Sequence, residues 1–233
     1  MANGRLFVVP TPIGNLEDWT FRAVRLLREE VDWALCEDTR TSRLLLEHYG
    51  LSLRCESYHA HNEHRKLASV LRRLRAGARV ALMTDAGTPG ISDPGFLLVR
   101  ACIEAGVPVE VLPGPTAFVP ALVISGLPCQ RFVFEGFLPA RKGRARRLEA
   151  LRSEERTIVL YESPHRIGRT LQDLVHLLGP DRPAALVREL TKRFEEVRRG
   201  TLSELLASVQ EHPPRGELVL VIAGADRDAE ERS

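Results

Sequence analysis

The sequence predicts an α/β fold built as two domains. Three observations carry that prediction. Apolar runs of strand length alternate with amphipathic stretches of helical period, the alternation occurs in two successive series along 233 residues, and a stiff segment, LPGPT at 112–116, falls between the series. Alternation of this kind favours a largely parallel sheet with helices on both faces.

In the first series, strands are expected at LFVVP from Leu6, VDWALCE from Val31, RVALMTD from Arg79 and VPVEVLP from Val107, with a shorter one over 53–58. Helices fit between them over 20–29, 39–49, 63–75 and 94–105. Together they make a complete doubly wound domain, 1–112. The second series opens with an apolar helix over 116–125 and continues with strands at RFVFEGF from Arg131, RTIVLYE from Arg156, AALVREL from Ala184 and ELVLVIAG from Glu217. Helices over 144–151, 165–178 and 202–211 complete a second domain, 113–233. The proline-glycine segment reads as a hinge, and the cleft beside it is a natural ligand site. The charged tail over 226–233 is expected to fray.

Composition narrows the function. At 44% hydrophobic and 27% charged residues the chain reads as an ordinary soluble protein. No apolar run approaches the roughly 20 residues of a bilayer span, and the N-terminus runs into a strand without a signal-peptide layout. A cytoplasmic protein with no membrane partner is the expectation. Cys36, Cys55, Cys102 and Cys129 are scattered without a CxxC pair, so neither a disulfide framework nor a metal is expected. The histidines of HAHNEH, His59, His61 and His64, read as the solvated start of a helix. Net charge is only +2, yet 30 of the 33 basic residues are arginine. Arginine grips phosphates bidentately, so the bias is compatible with a nucleic-acid partner, and equally with a GC-rich genome or a thermophilic source. In ARKGRARRLEALRSEER, 140–156, seven basic residues face three acidic ones. That segment reads either as a solvated helix and loop or as a phosphate-contacting flap.

The segment MTDAGTPGISDPG, 83–95, is the strongest local signal. Its glycines let main-chain groups touch a ligand and its prolines stiffen the loop, at the strand end where open α/β sheets bind ligands. Neither GxxxxGK[ST] nor GxGxxG occurs, and Asp85 and Asp93 would repel a polyphosphate. A cationic ligand with hydroxyls and a purine suits the loop better, and S-adenosylmethionine is such a molecule. Asp85 is the expected polar anchor, while Asp93, ahead of Pro94, fits a helix cap. Three more polar clusters follow apolar strands: CEDTR at 36–40, YESPHR at 161–166 and RELTKRFEEV at 188–197. That shared placement is the active edge of an α/β sheet.

The segments VVPTPIGNLEDWTFRAV, ALCEDTRTSRLLLEHYG, DAGTPGISDPG, LPGPTA, FEGFLP, LYESPHR and RELTKRFEEVRRGTL, in consistent order along nearly the whole chain, closely resemble the small-subunit ribosomal RNA methyltransferases of the tetrapyrrole methylase fold family. EDTR and ESPHR make the resemblance specific, since relatives acting on tetrapyrroles share the cofactor loops without them. The resemblance implies two α/β domains with S-adenosylmethionine in the cleft between them and 2′-O-methylation of a cytidine ribose in the decoding region of 16S rRNA, nucleotide 1402. It also implies a homodimer. Donor contacts carried over fall on Pro12, Asp85, Gly87, Thr88, Gly90, Ile91, Thr116, Ala117, Tyr161 and Leu190.

The expected reaction is direct displacement, with the ribose 2′-oxygen attacking the sulfonium methyl. Positioning supplies much of the acceleration because the donor is already activated. For proton removal the candidates are Glu37, Asp38, Glu162, Glu189 and Lys192, with Glu162 or Glu189 favoured as base and Lys192 orienting. Arg40, Arg43 and Arg166 are expected on flanking phosphates. Two alternatives stand beside this reading: methylation of a tetrapyrrole, and an RNA-binding assembly factor without turnover, which the intact donor loops argue against.

Overall fold

The computed structural model describes residues 4–225, so the expectation for the tail at 226–233 lies outside the described residues. The chain divides into two compact units between Thr116 and Ala117. The first contains β1 (Arg5–Val8), a 3-10 turn at Leu16–Asp18, α1 (Phe21–Glu29), β2 (Trp33–Cys36), α2 (Thr39–His48), β3 (Cys55–Ser57), α3 (Glu63–Arg75), β4 (Arg79–Met83), α4 (Phe96–Glu104) and β5 (Val109–Val111). Its five strands are all parallel, in the order β3-β2-β4-β1-β5.

Period-two alternation sorts the side chains of this sheet into two layers. Leu6, Val8, Trp33, Leu35, Val80 and Leu82 pack on Val70 and Leu74 of α3 and on Leu98 and Cys102 of α4. Phe7, Ala34, Cys36, Ala81 and Met83 face the other way, onto Ala23, Leu26 and Leu27 of α1 and Leu46 of α2. Helices on both faces bury the inner strands β2, β4 and β1 on both sides, while β3 and β5 at the edges stay partly exposed. The carboxyl ends of all five strands therefore lie along one edge, which the loops after β1, β2, β4 and β5 occupy.

The second unit contains α5 (Phe118–Ser125), β6 (Phe132–Phe137), α6 (Arg144–Ala150), β7 (Thr157–Glu162), α7 (Ile167–Leu178), β8 (Pro183–Arg188), β9 (Glu196–Thr201), α8 (Leu202–Glu211) and β10 (Leu218–Ile222). Here the expectation of a largely parallel sheet is corrected. In the order β6-β7-β10-β8-β9 only β6 and β7 run parallel, while β10 is antiparallel to both β7 and β8 and β9 is antiparallel to β8. The short connection from Arg188 to Glu196 permits a hairpin, whereas a parallel neighbour needs a crossover of a dozen or more residues.

Strand β9, EVRRGT, has no counterpart among the expected elements, because Val197 is its only large apolar residue and it pairs on one side only. Leu160, Leu186, Leu218 and Leu220 meet α6, α7 and α8 on one face, and Val159, Val187, Val219 and Val221 meet Ala121 and Leu122 of α5 on the other. Among the described residues no helix is long and apolar enough to cross a membrane.

Candidate active site

The glycine loop after β4 is stitched to the loop after β1. Thr11 and Gly87 exchange backbone hydrogen bonds at 2.9 and 3.0 Å, and the Thr11 hydroxyl donates to Thr84 O at 3.1 Å. The Thr88 hydroxyl donates to Pro115 O at 2.9 Å, which ties in the segment after β5. Pro12, Gly87, Thr88 and Thr116 thus sit on three chain segments held together by hydrogen bonds. Gly87 has φ +82° and Gly90 φ +86°, conformations that side chains disfavour. Ile91 is partly exposed beside them.

An acidic cluster borders this loop. Asp85 accepts the Asp38 backbone N–H at 3.0 Å. Burial, followed by the Asp38 charge, pushes its carboxyl up. Glu37 is also pushed up, by burial first and then by Asp85. Asp93 goes furthest, to about 7, from burial and the charges of Glu37 and Asp85. The cap expected of Asp93 does not form: α4 starts at Phe96, and Gly95, at φ +144°, occupies the cap position. Burial is the first cause at all three, and repulsion among the carboxylates adds to it. A cationic ligand fits such a place, and a polyphosphate does not.

Asp38 has a structural task. It caps α2, accepting the Arg40 backbone N–H at 2.8 Å, and its carboxylate is gripped by the Arg40 guanidinium at 2.6 Å. That hydrogen bond holds it down at about 2, too acidic to accept a proton near neutrality. Arg40 nonetheless remains largely exposed, as does Arg43. HAHNEH does open a helix, with Asn62 at the cap position of α3 and His61 and His64 exposed, but His59 is half-buried and Asn62 is buried, taking the His59 backbone N–H on Oδ1 at 3.0 Å.

In the second unit, Glu162 at the end of β7 is sealed, its side chain only 1% exposed. It accepts from the Thr170 hydroxyl at 2.6 Å and from the Ser163 backbone N–H at 2.9 Å, with Arg166 Nε at 3.5 Å. Arg166 also donates to Leu138 O at 2.5 Å, which ties it to the segment before α6. Tyr161 accepts the Phe118 backbone N–H on its hydroxyl at 3.2 Å, and Leu190 packs on the valine face with Ala117.

Glu189 and Lys192, after β8, form an ion pair at 3.0 Å, and Lys192 reaches Glu217 at 2.8 Å. The Glu217 backbone N–H, followed by Lys192, holds Glu189 low. Burial opposes the charge on Lys192, but the two carboxylates outweigh it and raise its pKa. Neither group is therefore poised to take a proton; the pair offers a fixed cation. Glu189 and Thr191 carry φ of +49° and +64°, and Ser92 in the glycine loop +63°. Such strain in non-glycine residues concentrates at functional sites.

Three residues to which the sequence assigned no site role thus join the picture. Asp93 was hidden behind a capping signal, Glu217 precedes a strand instead of following one, and Thr170 lies in a helix interior. Among the described residues no group of three or more His, Cys, Asp or Glu is set to hold a metal ion.

Comparison with known proteins gives the same frame. Residues 5–206 match the family of tetrapyrrole (corrin/porphyrin) methylases. The chain is 49% identical over 226 residues to the ribosomal RNA small subunit methyltransferase I of Escherichia coli O157:H7, covering 96% of this chain and 79% of that protein. It is 43% identical to the protein of the same name from Thermotoga maritima, covering 96% and 100%. Among solved structures, uroporphyrin-III C-methyltransferase from Thermus thermophilus aligns with a TM-score of 0.65 at 26% identity, covering 94% of each chain. Diphthine synthase aligns with a TM-score of 0.70 at 17% identity, a likeness of fold, covering 98% and 93%. The chain belongs to the tetrapyrrole methylase family and, within it, to the ribosomal RNA small subunit methyltransferase I group.

Proposed function

We propose that this protein methylates the 2′-hydroxyl of a cytidine in the decoding region of 16S rRNA, nucleotide 1402, with S-adenosylmethionine as donor. The observation that carries the donor assignment is the carboxylate cluster of Glu37, Asp85 and Asp93 beside a loop of left-handed glycines. Ribosomal RNA as acceptor is supported by relatives of that name at 43–51% identity. When bound, the donor supplies a methyl group already activated by its sulfonium.

In this reading Pro12, Asp85, Gly87, Thr88, Gly90, Ile91 and Thr116 hold the donor in the first unit, and Ala117, Tyr161 and Leu190 are the contacts contributed by the second. Glu37 accepts the proton of the ribose hydroxyl, because Asp38 and Glu189 are held acidic and Glu162 is sealed. A carboxyl raised towards the working pH is the better general base. Lys192, fixed as a cation, and Arg40 and Arg43, exposed on α2, contact the RNA. A cytoplasmic homodimer belongs to the same reading and is checked by sedimentation of the purified protein.

The deciding experiment incubates the protein with radiolabelled S-adenosylmethionine and unmodified small ribosomal subunits, then maps the labelled nucleoside. Label on a 2′-O-methylcytidine is expected. Label on a base, or transfer to a tetrapyrrole with none to RNA, would overturn the reading.

A further inference from the structure

We infer that α6 and the turn before it form a phosphate clamp for the RNA substrate, in which Arg141, Lys142 and Arg146 grip the backbone and buried Arg144 fixes them to the segment after β7. The inference rests on the RNA reading above.

The helix shows two unlike faces. Arg144, Leu148 and Leu151, spaced four and three apart, are buried, and both leucines join the core beneath α7. A buried arginine in that row needs a full set of acceptors. Each of the three Arg144 nitrogens has at least one: Asp173 receives Nε at 2.9 Å and Nη2 at 2.8 Å, the Thr170 hydroxyl receives Nη2 at 3.0 Å, and Pro139 O receives Nη1 at 3.3 Å, four bonds for five N–H groups. Thr170 then donates its own proton to Glu162 at 2.6 Å. One buried relay therefore runs from α6 through α7 to the last residue of β7. Glu162 is a positioning residue on that relay, which explains why so enclosed a carboxylate stands at the edge of the sheet.

The outward face is different. Arg141, Lys142 and Arg146 are exposed, and none of their side chains has an ion pair or hydrogen bond among the described residues. Gly143, at φ +84° with open space where a Cβ would point, turns the chain between the first two cations and the helix. Several exposed arginines elsewhere are engaged, Arg22 with Glu110, Arg25 with Glu30 and Arg100 with Glu104, while Arg43, Arg65 and Arg215 are, like these three cations, without an ion pair among the described residues. Unpaired cations need surrender no partner to meet a phosphate. Among the exposed residues from 140 to 150 the only apolar ones are alanines, so the face suits a polyanion rather than an apolar protein surface.

The test measures binding of a fluorescent RNA fragment of the decoding region across salt concentration, together with kcat and KM for methyl transfer to small subunits. Three proteins are compared: the wild type, Arg141→Ala/Lys142→Ala/Arg146→Ala, and the equal-charge control Arg22→Ala/Arg25→Ala/Arg100→Ala. The clamp variant is expected to flatten the salt slope by about 2, at about 0.7 for each single-strand phosphate that it no longer neutralises. Its KM should rise at least tenfold (~10-fold is about 1.4 kcal/mol) with kcat nearly unchanged, while the control stays close to wild type. An unchanged slope in the clamp variant, or an equal weakening in the control, overturns the clamp while wild-type transfer to RNA leaves the functional reading standing. A wild type that neither binds nor methylates the RNA overturns that reading. Wild-type binding to phosphatidylserine vesicles but not to RNA would assign these cations to a lipid surface and overturn the clamp.

Discussion

Asp85, just after β4, accepts the backbone N–H of Asp38, at the cap of α2, through its Oδ1 at 3.0 Å. One carboxylate thus serves as a strut between two loops and as a negative charge facing the glycine loop. Asp85→Asn keeps an acceptor oxygen and removes the charge, so the two roles separate. Calorimetry should show S-adenosylmethionine binding weakened about tenfold (~1.4 kcal/mol) in Asp85→Asn, with little change in melting temperature. Asp85→Ala should lose both. Undiminished donor affinity in Asp85→Asn would dismiss the charge.

Asp93 makes stability depend on pH. Its folded pKa, about 7, lies above the ordinary 3.8, so between those values the folded state holds a proton that the unfolded state releases. Stability is therefore lost as pH rises from about 4 to about 7 and levels off above. Asp93→Asn removes the effect. Its melting temperature should match wild type near pH 4 and exceed it at pH 8 by a few degrees, from roughly 1–2 kcal/mol once solvent screening is allowed for. A gap that is the same at both pH values would rule out the titration.

Gly216 has φ +86°, and a Cβ there would lie 2.3 Å from Glu189 Oε1. Gly216→Ala should cost about 1–3 kcal/mol in denaturant melts, from backbone strain and from the displaced carboxylate. In a Glu189→Ala background the cost should shrink, because only the strain remains. A double-mutant cycle with no coupling would contradict this close approach.

Removing the buried guanidinium of Arg144 strands Asp173 and Thr170. Arg144→Ala should lower stability by about 3 kcal/mol, and Arg144→Lys by less, since an ammonium restores the charge without the planar fork. Thermal melts that leave Arg144→Ala at the wild-type temperature would show that α6 is held by its leucines alone.

Much of this architecture was legible in the sequence because side-chain period reports directly on burial. Helix α3 spans the same residues, 63–75, that its spacing predicts, β4 and β7 fall within their apolar runs, and β1 starts one residue before its own. Strand direction was not legible, since alternating elements give order along the chain and say nothing of orientation, so β10 and β9 reversed the expectation for the second sheet. The site was read in part. Glycine and proline placement revealed the loop after β4, but the raised pKa of Asp93 depends on burial and then on the charges of Glu37 and Asp85, which its local Asp-Pro signal cannot report. The role of Glu162 was likewise set at a distance, by Thr170 and Arg144.

The parallel order of the first sheet also shapes synthesis. Strand β1 is an interior strand, pairing Leu6 with Val80 on one side and Val109 on the other. A ribosome making 5–20 residues per second therefore leaves this apolar strand without its second neighbour for roughly 5–20 seconds, while about a hundred further residues emerge. During that interval the nascent chain carries an open hydrophobic edge, and chaperone occupancy should be greatest before β5 has left the exit tunnel.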